Sequence, residues 1–422
     1  MEVELATGVN AFITPTKKFK TIIIEYKFRS LYEPKKATAR TLLQNILVTN
    51  TKKYPTQKEM DKQMSWLYGA SLSSNSQRIG KQHIVTVSLK IVNDKFIGGD
   101  DSLLEQAFTF LNQIIFSPNI EDGQFHKPTF SREKQNLKNE FQSLEDNKTR
   151  YASVKLNEML FEGTDQAYLG IGDEMFLDEI TPASLFVDYK EMIEQNQIDI
   201  LVSGDVDSER VKDSLKQLEL KDREKKVEEV FVFSTPKETV NEKEETSVVN
   251  QGTLMLGFSS PAYYMKKEYF ASMVFNGLFG GFPHSKLFQN VREKASLAYS
   301  TSSFIDFLRG TMVVYTGIDS TKKQEVEEIV LKQLEDMRAG VFIEELIVQT
   351  KDMLINQFMQ NEDHQSASLS KGYMNRLTTG KDIEDEEWIS SLQRVTKAEI
   401  IEAAKQLKLQ ATFFLKGEQV DV

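Results

Sequence analysis

Two segments of this chain, one in each half, end in the same way, and this repetition constrains the fold more than any other feature. Ile198–Asp207 (IDILVSGDVD) and Ala411–Asp421 (ATFFLKGEQVD) each contain an apolar strand followed by glycine, an acidic residue and Val-Asp. A helix that begins at a threonine, Thr181 or Thr396, precedes each strand at nearly the same distance. Because a chain of 422 residues is too long for one compact core, the repetition indicates two related domains.

A second repetition follows the same order along the chain. The pattern helix, turn, polar strand, alternating strand, helix runs from Lys58 to Ile115 and again from Leu287 to Met337, with an alternating strand at Thr311–Ile318. Two repetitions in the same order favour a duplicated α+β domain. A chance likeness between two α+β segments is the alternative.

A charged segment separates the two halves. Residues 219–243 are rich in Lys and Glu, with a Thr235-Pro236 break and one apolar island at Val230–Phe233. Charge-rich and turn-rich stretches of this kind usually connect domains. We therefore expect a first domain over residues 1–218, a linker over residues 219–243 and a second domain over residues 244–422.

Composition excludes several classes of function. The net charge of −11, with no long basic stripe, disfavours a nucleic-acid partner. The absence of cysteine removes disulfides, thiol nucleophiles and cysteine-ligated metals. The acidic N-terminal sequence Met1–Glu4 is followed by no apolar signal region, and no apolar run is long enough to span a membrane. We expect a cytoplasmic protein with no membrane association.

One stretch, Gly277–Ser302 (GLFGGFPHSKLFQNVREKASLAYSTS), carries the most information. A helix is expected to end at its glycines, a new helix to start near Ser285, and a polar strand to follow Leu297. Taken alone, the glycines indicate only a turn between helices. The stretch is not a phosphate-binding loop, because the chain contains no Gly-x4-Gly-Lys-Ser/Thr sequence.

This stretch resembles the second-domain signature of the pitrilysin-like (M16) zinc peptidases, which combines a glycine-rich turn, Ser-x-Leu-Phe, an arginine and a Leu-Ala-Tyr-Ser strand. The matching residues are Ser285, Leu287, Phe288, Arg292, Leu297, Ala298, Tyr299 and Ser300. The closing patterns of both halves extend the resemblance over nearly the whole chain. It implies an α+β fold of two homologous domains, each a mainly antiparallel sheet packed with helices, which together form half of a clamshell.

The resemblance also implies a substrate-binding role for part of this stretch. In the family, the residues matched by Arg292 and Tyr299 bind substrate across the chamber from the zinc ion. An arginine offers a planar fork of donors to carbonyl or carboxylate oxygens, and a tyrosine hydroxyl can donate to a developing oxyanion. The glycine turn is expected to touch the substrate or the subunit seam; its glycines are Gly277, Gly280 and Gly281.

The chain departs from the family at the zinc site. Active members carry His-x-x-Glu-His on a first-domain helix, where two histidines bind zinc and the glutamate is the general base. The matching positions here are Thr41, Gln44 and Asn45. Thr and Asn are poor zinc ligands beside imidazole, and an amide cannot take a proton at neutral pH. The four histidines of the chain include no His-x3-His pair, so we expect no zinc and no catalytic residue in this chain.

A partial trace of the metal site is possible on a later helix. Glu133 and Glu140 match the spacing of the third zinc ligand and of a second glutamate in active relatives. Without partners they are expected to lie on a solvated helix face. An unfamiliar metal site built from Glu140, His126 and His83 is a further alternative. His364, expected on a long helix over residues 343–377, is interpreted as a solvent-facing histidine.

Together, these features suggest a non-catalytic, substrate-binding subunit of a heterodimeric M16B-type zinc peptidase. The sequence is most similar to M16-like proteins of Firmicutes that are encoded beside a zinc-bearing relative, including those associated with elongation factor P modification. Zinc is expected in that partner, a peptide is the expected substrate, and a homodimer is possible in isolation. The alternatives are a structural or peptide-binding protein with no role in proteolysis, as in respiratory complexes, and an independent peptidase with an unfamiliar site.

Overall fold

A computed structural model describes residues 1–98, 102–216, 218, 220–224, 229–233 and 235–418. The chain forms two compact units. One contains Met1–Gln142 and Tyr168–Glu229, and the other contains Ser143–Ala167 and Val230–Val422. Several residues of the expected linker (219, 225–228 and 234) and residues 419–421 of the second closing pattern lie outside the described residues.

Strands and helices alternate along both units. The strands are β1 (Glu2–Ala6), β2 (Val9–Pro15), β3 (Thr21–Leu31), β4 (Ser71–Ile79), β5 (Gln82–Val92), β6 (Ile120–Glu121), β7 (Gln124–Phe125), β8 (Gln197–Gly204), β9 (Asn241–Ser247), β10 (Gly252–Ser259), β11 (Ala298–Asp306), β12 (Thr311–Ile318) and β13 (Lys408–Gly417). The helices are α1 (Pro34–Leu47), α2 (Gln57–Trp66), α3 (Leu103–Phe116), α4 (Lys127–Gln142), α5 (Lys148–Leu160), α6 (Pro182–Gln195), α7 (Ser208–Lys216), α8 (Tyr269–Asn276), α9 (Lys323–Arg338), α10 (Glu345–Glu362), α11 (Gln365–Thr379), α12 (Asp385–Gln393) and α13 (Lys397–Gln406).

The first unit is built on a sheet with the order β1-β2-β8-β3-β5-β4. Its pairs are antiparallel apart from β2 with β8, and β3 lies between β8 and β5, with Tyr26 opposite Ile200 and Val87. Alternate residues of β3 point toward the helices. Among them, the Tyr26 ring meets Phe116 of α3 edge-on, and its hydroxyl donates to Asn112 of the same helix at 3.0 Å.

The second unit repeats this arrangement. Its sheet has the order β11-β12-β10-β13-β9, in which only β13 with β9 is parallel among the described pairs. Strand for strand, this order matches β4-β5-β3-β8-β2 of the first sheet. The prediction of two related α+β domains with mainly antiparallel sheets is therefore confirmed.

The central strand of the second sheet is covered on both faces. Leu254, Leu256 and Phe258 of β10 face the core that contains α8 and α9, whereas Met255 faces α5. The residues that α5 contributes to the second face are Ala152, Leu156 and Met159. Helix α5 lies within the range that the sequence assigned to the first domain, yet it packs in the second unit.

Local helix signals are accurate, with one exception. Helices begin at Thr181 and Thr396 as expected, and both threonines are N-caps with reciprocal side-chain and backbone hydrogen bonds. The long helix expected over residues 343–377 is wrong, because α10 ends at Glu362 and α11 begins at Gln365. His364 stands at the N-cap of α11, where its backbone is extended.

In the described ranges, no helix combines the length and apolar character that crossing a bilayer requires.

A buried cation joins α1 to the sheet of the first unit. The Arg40 guanidinium donates to His83 Nδ1 at 2.9 Å, to the Phe28 carbonyl at 2.7 Å and to the Asn196 side chain. An arginine can only donate, so Nδ1 must carry a lone pair. Burial, together with the Arg40 charge, holds the pKa of His83 well below its usual value. His83 is therefore neutral in the folded protein.

This depressed pKa predicts a loss of stability in acid. The unfolded chain gains a proton on His83 as the pH falls below about 6.5, whereas the folded chain does not, so acid favours unfolding. We expect this histidine to lower the free energy of unfolding by about 1.4 kcal/mol between pH 7.5 and 5.5. Urea titrations of wild type and His83→Gln at both pH values measure this contribution to the free energy of unfolding. If both proteins lost the same stability in acid, His83 would not be the neutral histidine responsible.

The packing of α5 predicts a second stability effect. Leu156 is 1% exposed against the second sheet, so Leu156→Ala should leave a cavity and lower the free energy of unfolding by about 2–5 kcal/mol. Thr149→Ala, at an exposed position of the same helix, is the matched control. A urea titration in which the two variants unfold alike would show that α5 does not stabilise this sheet.

Candidate functional site

The helix positions that match the zinc motif are closed by internal hydrogen bonds. On α1, the Thr41 hydroxyl lies 2.6 Å from the Ser76 hydroxyl of β4 and donates to the Ile171 carbonyl at 3.0 Å. Thr41 is 2% exposed. Its oxygen therefore has two partners within the protein, and it lacks the basicity of an imidazole nitrogen.

The next two motif positions bond to each other. Gln44 Nε2 donates to Asn45 Oδ1 at 3.0 Å, and the Ser74 hydroxyl donates to the backbone carbonyl of Gln44 at 3.3 Å. Gln44 Oε1 is buried and has no hydrogen-bond partner among the described residues. A primary amide does not accept a proton at neutral pH, so Gln44 cannot replace the general base.

The two glutamates of α4 differ in environment, and the expectation that both lie on a solvated face is wrong for Glu133. Glu133 is buried, and its carboxylate accepts from Arg132 at 2.8 Å, from Asn136 at 3.0 Å and from Thr49 at 3.4 Å. Glu140 is exposed. The Glu133 carboxylate, near the C-terminal end of α1, thus accepts hydrogen bonds from an arginine and two neutral donors.

These residues do not fit a zinc ion. They provide no imidazole, and the buried carboxylate is already paired. The histidines of this unit lie in separate settings, with His83 bonded to Arg40 and His126 Nδ1 2.9 Å from the Thr129 hydroxyl. Throughout the described part of the chain, no group of three or more His, Asp or Glu side chains is arranged to hold a metal.

In the second unit, Arg292 lies on a wide helical turn. Phe288–Lys294 forms a π-helical segment, in which the Ala295 amide donates to the Asn290 carbonyl at 3.3 Å. Such turns are rare and occur frequently at functional sites. The Arg292 guanidinium is exposed, with its central carbon 4.6 Å from the centre of the Phe288 ring. Stacking on this ring orients the guanidinium toward solvent.

Tyr299 is placed by a local irregularity at the start of β11. The pairing of β11 with β12 shifts between Ala298 and Ser300, which is the position of Tyr299. Irregularities of this kind redirect a side chain and are common beside active sites. Tyr299 is 65% exposed. The Leu297 amide donates to the Val291 carbonyl at 3.1 Å, so the residues before Tyr299 and the Arg292 turn are bonded to each other.

The glycine turn, Gly277–Gly281, is a π-helical segment that continues α8, and it is close-packed. Gly277 and Gly280 are buried, and an added Cβ would lie 2.5 Å from Thr350 Cγ2 at the first and 2.5 Å from Ser303 Oγ at the second. Glycine is thus required here for close approach. Gly281 is exposed, and an added Cβ there would lie 3.0 Å from the Asn276 carbonyl oxygen. Of the three glycines, it is the one whose surface faces solvent.

Sequence reasoning did not identify the side chains that fasten this turn. His284 Nε2 lies 2.8 Å from the Thr350 hydroxyl of α10, and its ring stacks on Phe282. Lys286 donates to the Val341 carbonyl at 2.9 Å. Burial lowers the pKa of His284 and that of Lys286. Single His and Lys residues in a polar segment carry no signal that would predict these contacts.

Comparison with known proteins agrees with a chain whose α1 positions do not fit a zinc ion. Residues 179–354 match the family model described as the peptidase M16 inactive domain. The chain is 33% identical to the probable inactive metalloprotease YmfF of Bacillus subtilis, over 98% of this chain and 96% of that protein. It is 23% identical to the uncharacterized zinc protease YmxG of the same organism, over 73% of each chain.

A solved structure gives the same result for the fold. The crystal structure of a conserved protein from Enterococcus faecalis V583 is 41% identical in sequence and superposes with a TM-score of 0.96. The match covers 100% of this chain and 99% of that one. The similarity therefore extends over both units.

The side chains at the α1 positions Thr41, Gln44 and Asn45 predict how the protein responds to zinc and to chelators. We expect dialysis against zinc chloride to leave no stoichiometric ion, because the α1 positions offer no imidazole ligand. We also expect excess chelator to leave the midpoint of thermal unfolding unchanged, since no bound metal stabilises the fold. A relative with the intact His-x-x-Glu-His motif is the control. Tightly held zinc in the purified chain, measured by elemental analysis, would contradict both expectations.

Proposed function

The chain belongs to the M16 peptidase family as an inactive member, and on this premise we propose that it is the substrate-binding subunit of a heterodimeric zinc peptidase. A zinc-bearing M16B-type chain is the partner and supplies the metal and the general base. One observation carries the proposal: Arg292 and Tyr299 are exposed on two segments that are hydrogen-bonded to each other, whereas Thr41 of the zinc motif is buried and hydrogen-bonded within the protein.

The closed α1 positions support a role without metal chemistry. General-base catalysis contributes about 10²–10⁴-fold to such reactions, and a metal-activated water contributes further. Thr41, Gln44 and Asn45 provide neither a base nor a ligand set. A chain of this kind keeps the fold of the family but needs a second chain for hydrolysis.

Arg292 supports the binding of a peptide. Its guanidinium has five donors in a planar fork, which suits a peptide carbonyl or a C-terminal carboxylate. The Phe288 ring holds one face of this group, so less side-chain entropy is lost when a ligand binds.

Tyr299 and its strand support the same role. β11 is the last strand in the order of its sheet within the described residues, and its outer edge can pair with an extended peptide backbone. The Tyr299 hydroxyl can donate to a carbonyl of such a peptide. The neighbouring Ser300 hydroxyl lies 3.1 Å from the Tyr315 hydroxyl, which adds a polar patch on this strand.

The relatives support a paired arrangement. Bacillus subtilis contains both a relative named as an inactive metalloprotease and one named as a zinc protease. One organism thus holds both types of chain that a heterodimer requires. The alternative is a structural or peptide-binding protein with no role in proteolysis, and it predicts that no mixture of the two types cleaves peptides.

Reconstitution tests the proposal. We expect this chain, mixed with the zinc-bearing relative from the same genome, to co-elute with it and to give peptidase activity that neither shows alone. Arg292→Ala should lower kcat/KM about 10²–10³-fold, because a donor to the transition state is lost. Tyr299→Phe should act in the same direction, by removing one hydroxyl.

Glu293→Ala is the matched control, since Glu293 is exposed on the same turn and has no part in the proposed site. Its activity should equal that of the wild-type mixture. A heterodimer whose activity is unchanged by Arg292→Ala and Tyr299→Phe would rule out the substrate-holding role. If no heterodimer formed, the alternative would stand.

A further inference from the structure

The second unit contains a cavity that has no part in the site described above. Its volume is about 260 Å³, enough for one large side chain. Its walls are mainly aromatic and aliphatic, and the side chains that form them are Tyr264, Tyr269, Met273, Leu354, Phe358 and Trp388. A concave apolar site with a few polar groups is the usual form of a binding pocket.

The aromatic walls are held in place by their own contacts. Phe358 of α10 and Trp388 of α12 are stacked, with ring centroids 4.1 Å apart and planes 8° apart. The Tyr264 hydroxyl donates to Asn375 at 2.7 Å, and its ring lies 5.0 Å from that of Tyr269. The cavity is therefore preformed, and a ligand would pay little to order it.

One end of the cavity carries an excess of negative charge. The Lys371 ammonium lies 4.5 Å from the centre of the Phe358 ring and 2.6 Å from both Glu362 and Asp385. Two carboxylates thus face one cation. A cationic group next to the cavity would be attracted.

The opening also carries two neutral amides. Gln357 and Asn361 line the cavity, are exposed, and stand one turn apart on α10. Each primary amide has donors and an acceptor, which match the N–H and C=O groups of a peptide backbone. The combination of an apolar cavity, an acidic end and paired amides is suited to a peptide.

We propose that this cavity binds a large apolar or aromatic side chain of a peptide in which the neighbouring residue is lysine or arginine. The apolar side chain fills the space between the aromatic walls, and the basic neighbour lies against Glu362 and Asp385. The amides of Gln357 and Asn361 bond to the peptide backbone. The proposal rests on the proposed function only in taking a peptide as the ligand, and it makes this cavity a determinant of specificity apart from Arg292 and Tyr299.

Trp388 provides a built-in reporter for the test. The chain has two tryptophans, and the other, Trp66, is 70% exposed in the first unit, so Trp66→Phe leaves Trp388 as the sole tryptophan, which is excited selectively over the tyrosines. The isolated full chain is titrated with acetyl-Gly-Phe-Arg-Gly-Gly-amide. We expect a saturable change in emission. Replacing Phe by Ala, or Arg by Glu, in this peptide should weaken binding at least about tenfold, a change of about 1.4 kcal/mol.

Variants at the opening test the assignment without disturbing the core. Gln357→Ala combined with Asn361→Ala should weaken binding of the Phe-Arg peptide about tenfold, whereas Gln360→Ala, exposed on the same helix, should leave it unchanged. No saturable change, equal affinity for all three peptides, or equal effects of the two sets of variants would overturn the proposal. The titration needs no partner chain. Binding of the peptide without activity in the mixture would therefore refute the proposed function alone. Activity in the mixture without binding of the peptide would refute the proposed role of the cavity alone.

Discussion

The structure of this protein depends on one constraint, which is that the central strand of each sheet is buried on both faces. Every residue of β3 from Ile22 to Phe28 is buried, as is every residue of β10. The apolar side chains of such a strand need cover, because they cannot be left to water. In the second unit, α8 and α9 provide one cover and α5 provides the other. Gly257 allows the close approach of α5, since a Cβ there would lie 2.9 Å from the Leu160 methyl groups.

The covered sheets determine where the polar side chains of the candidate site lie. With β10 and β12 fixed by their cover, β11 lies at the side of the sheet, where the backbone shift at Tyr299 and the wide turn before it direct two polar side chains to solvent. The α1 positions face inward on the other unit, where hydroxyls and amides bond to one another. Thr41 is hydrogen-bonded within the protein and the fold of the family is kept, because a site depends on a few side chains and the fold on many.

Sequence reasoning succeeded where the signal is local. The strand Thr311–Ile318 was predicted with its observed bounds, and helices begin at Thr181 and Thr396 as predicted. It failed at residues 363–364, where apolar periodicity continues through a break between α10 and α11. Periodicity reports which residues face the core, and two consecutive helices can both present such a face. Similarly, nothing within α5 indicates which sheet it covers, since any amphipathic helix fits an apolar surface.

By itself, the sequence determined that the chain has two related α+β halves and lacks the zinc motif, because these properties depend on the identity and order of residues that are close together. The tertiary structure alone decided that α5 packs on the second sheet, that Tyr299 stands at a shift in pairing, and that Phe358 and Trp388 stack to form a cavity. These features arise from contacts between residues far apart in the chain. Their energies depend on shape and burial, which no local pattern encodes.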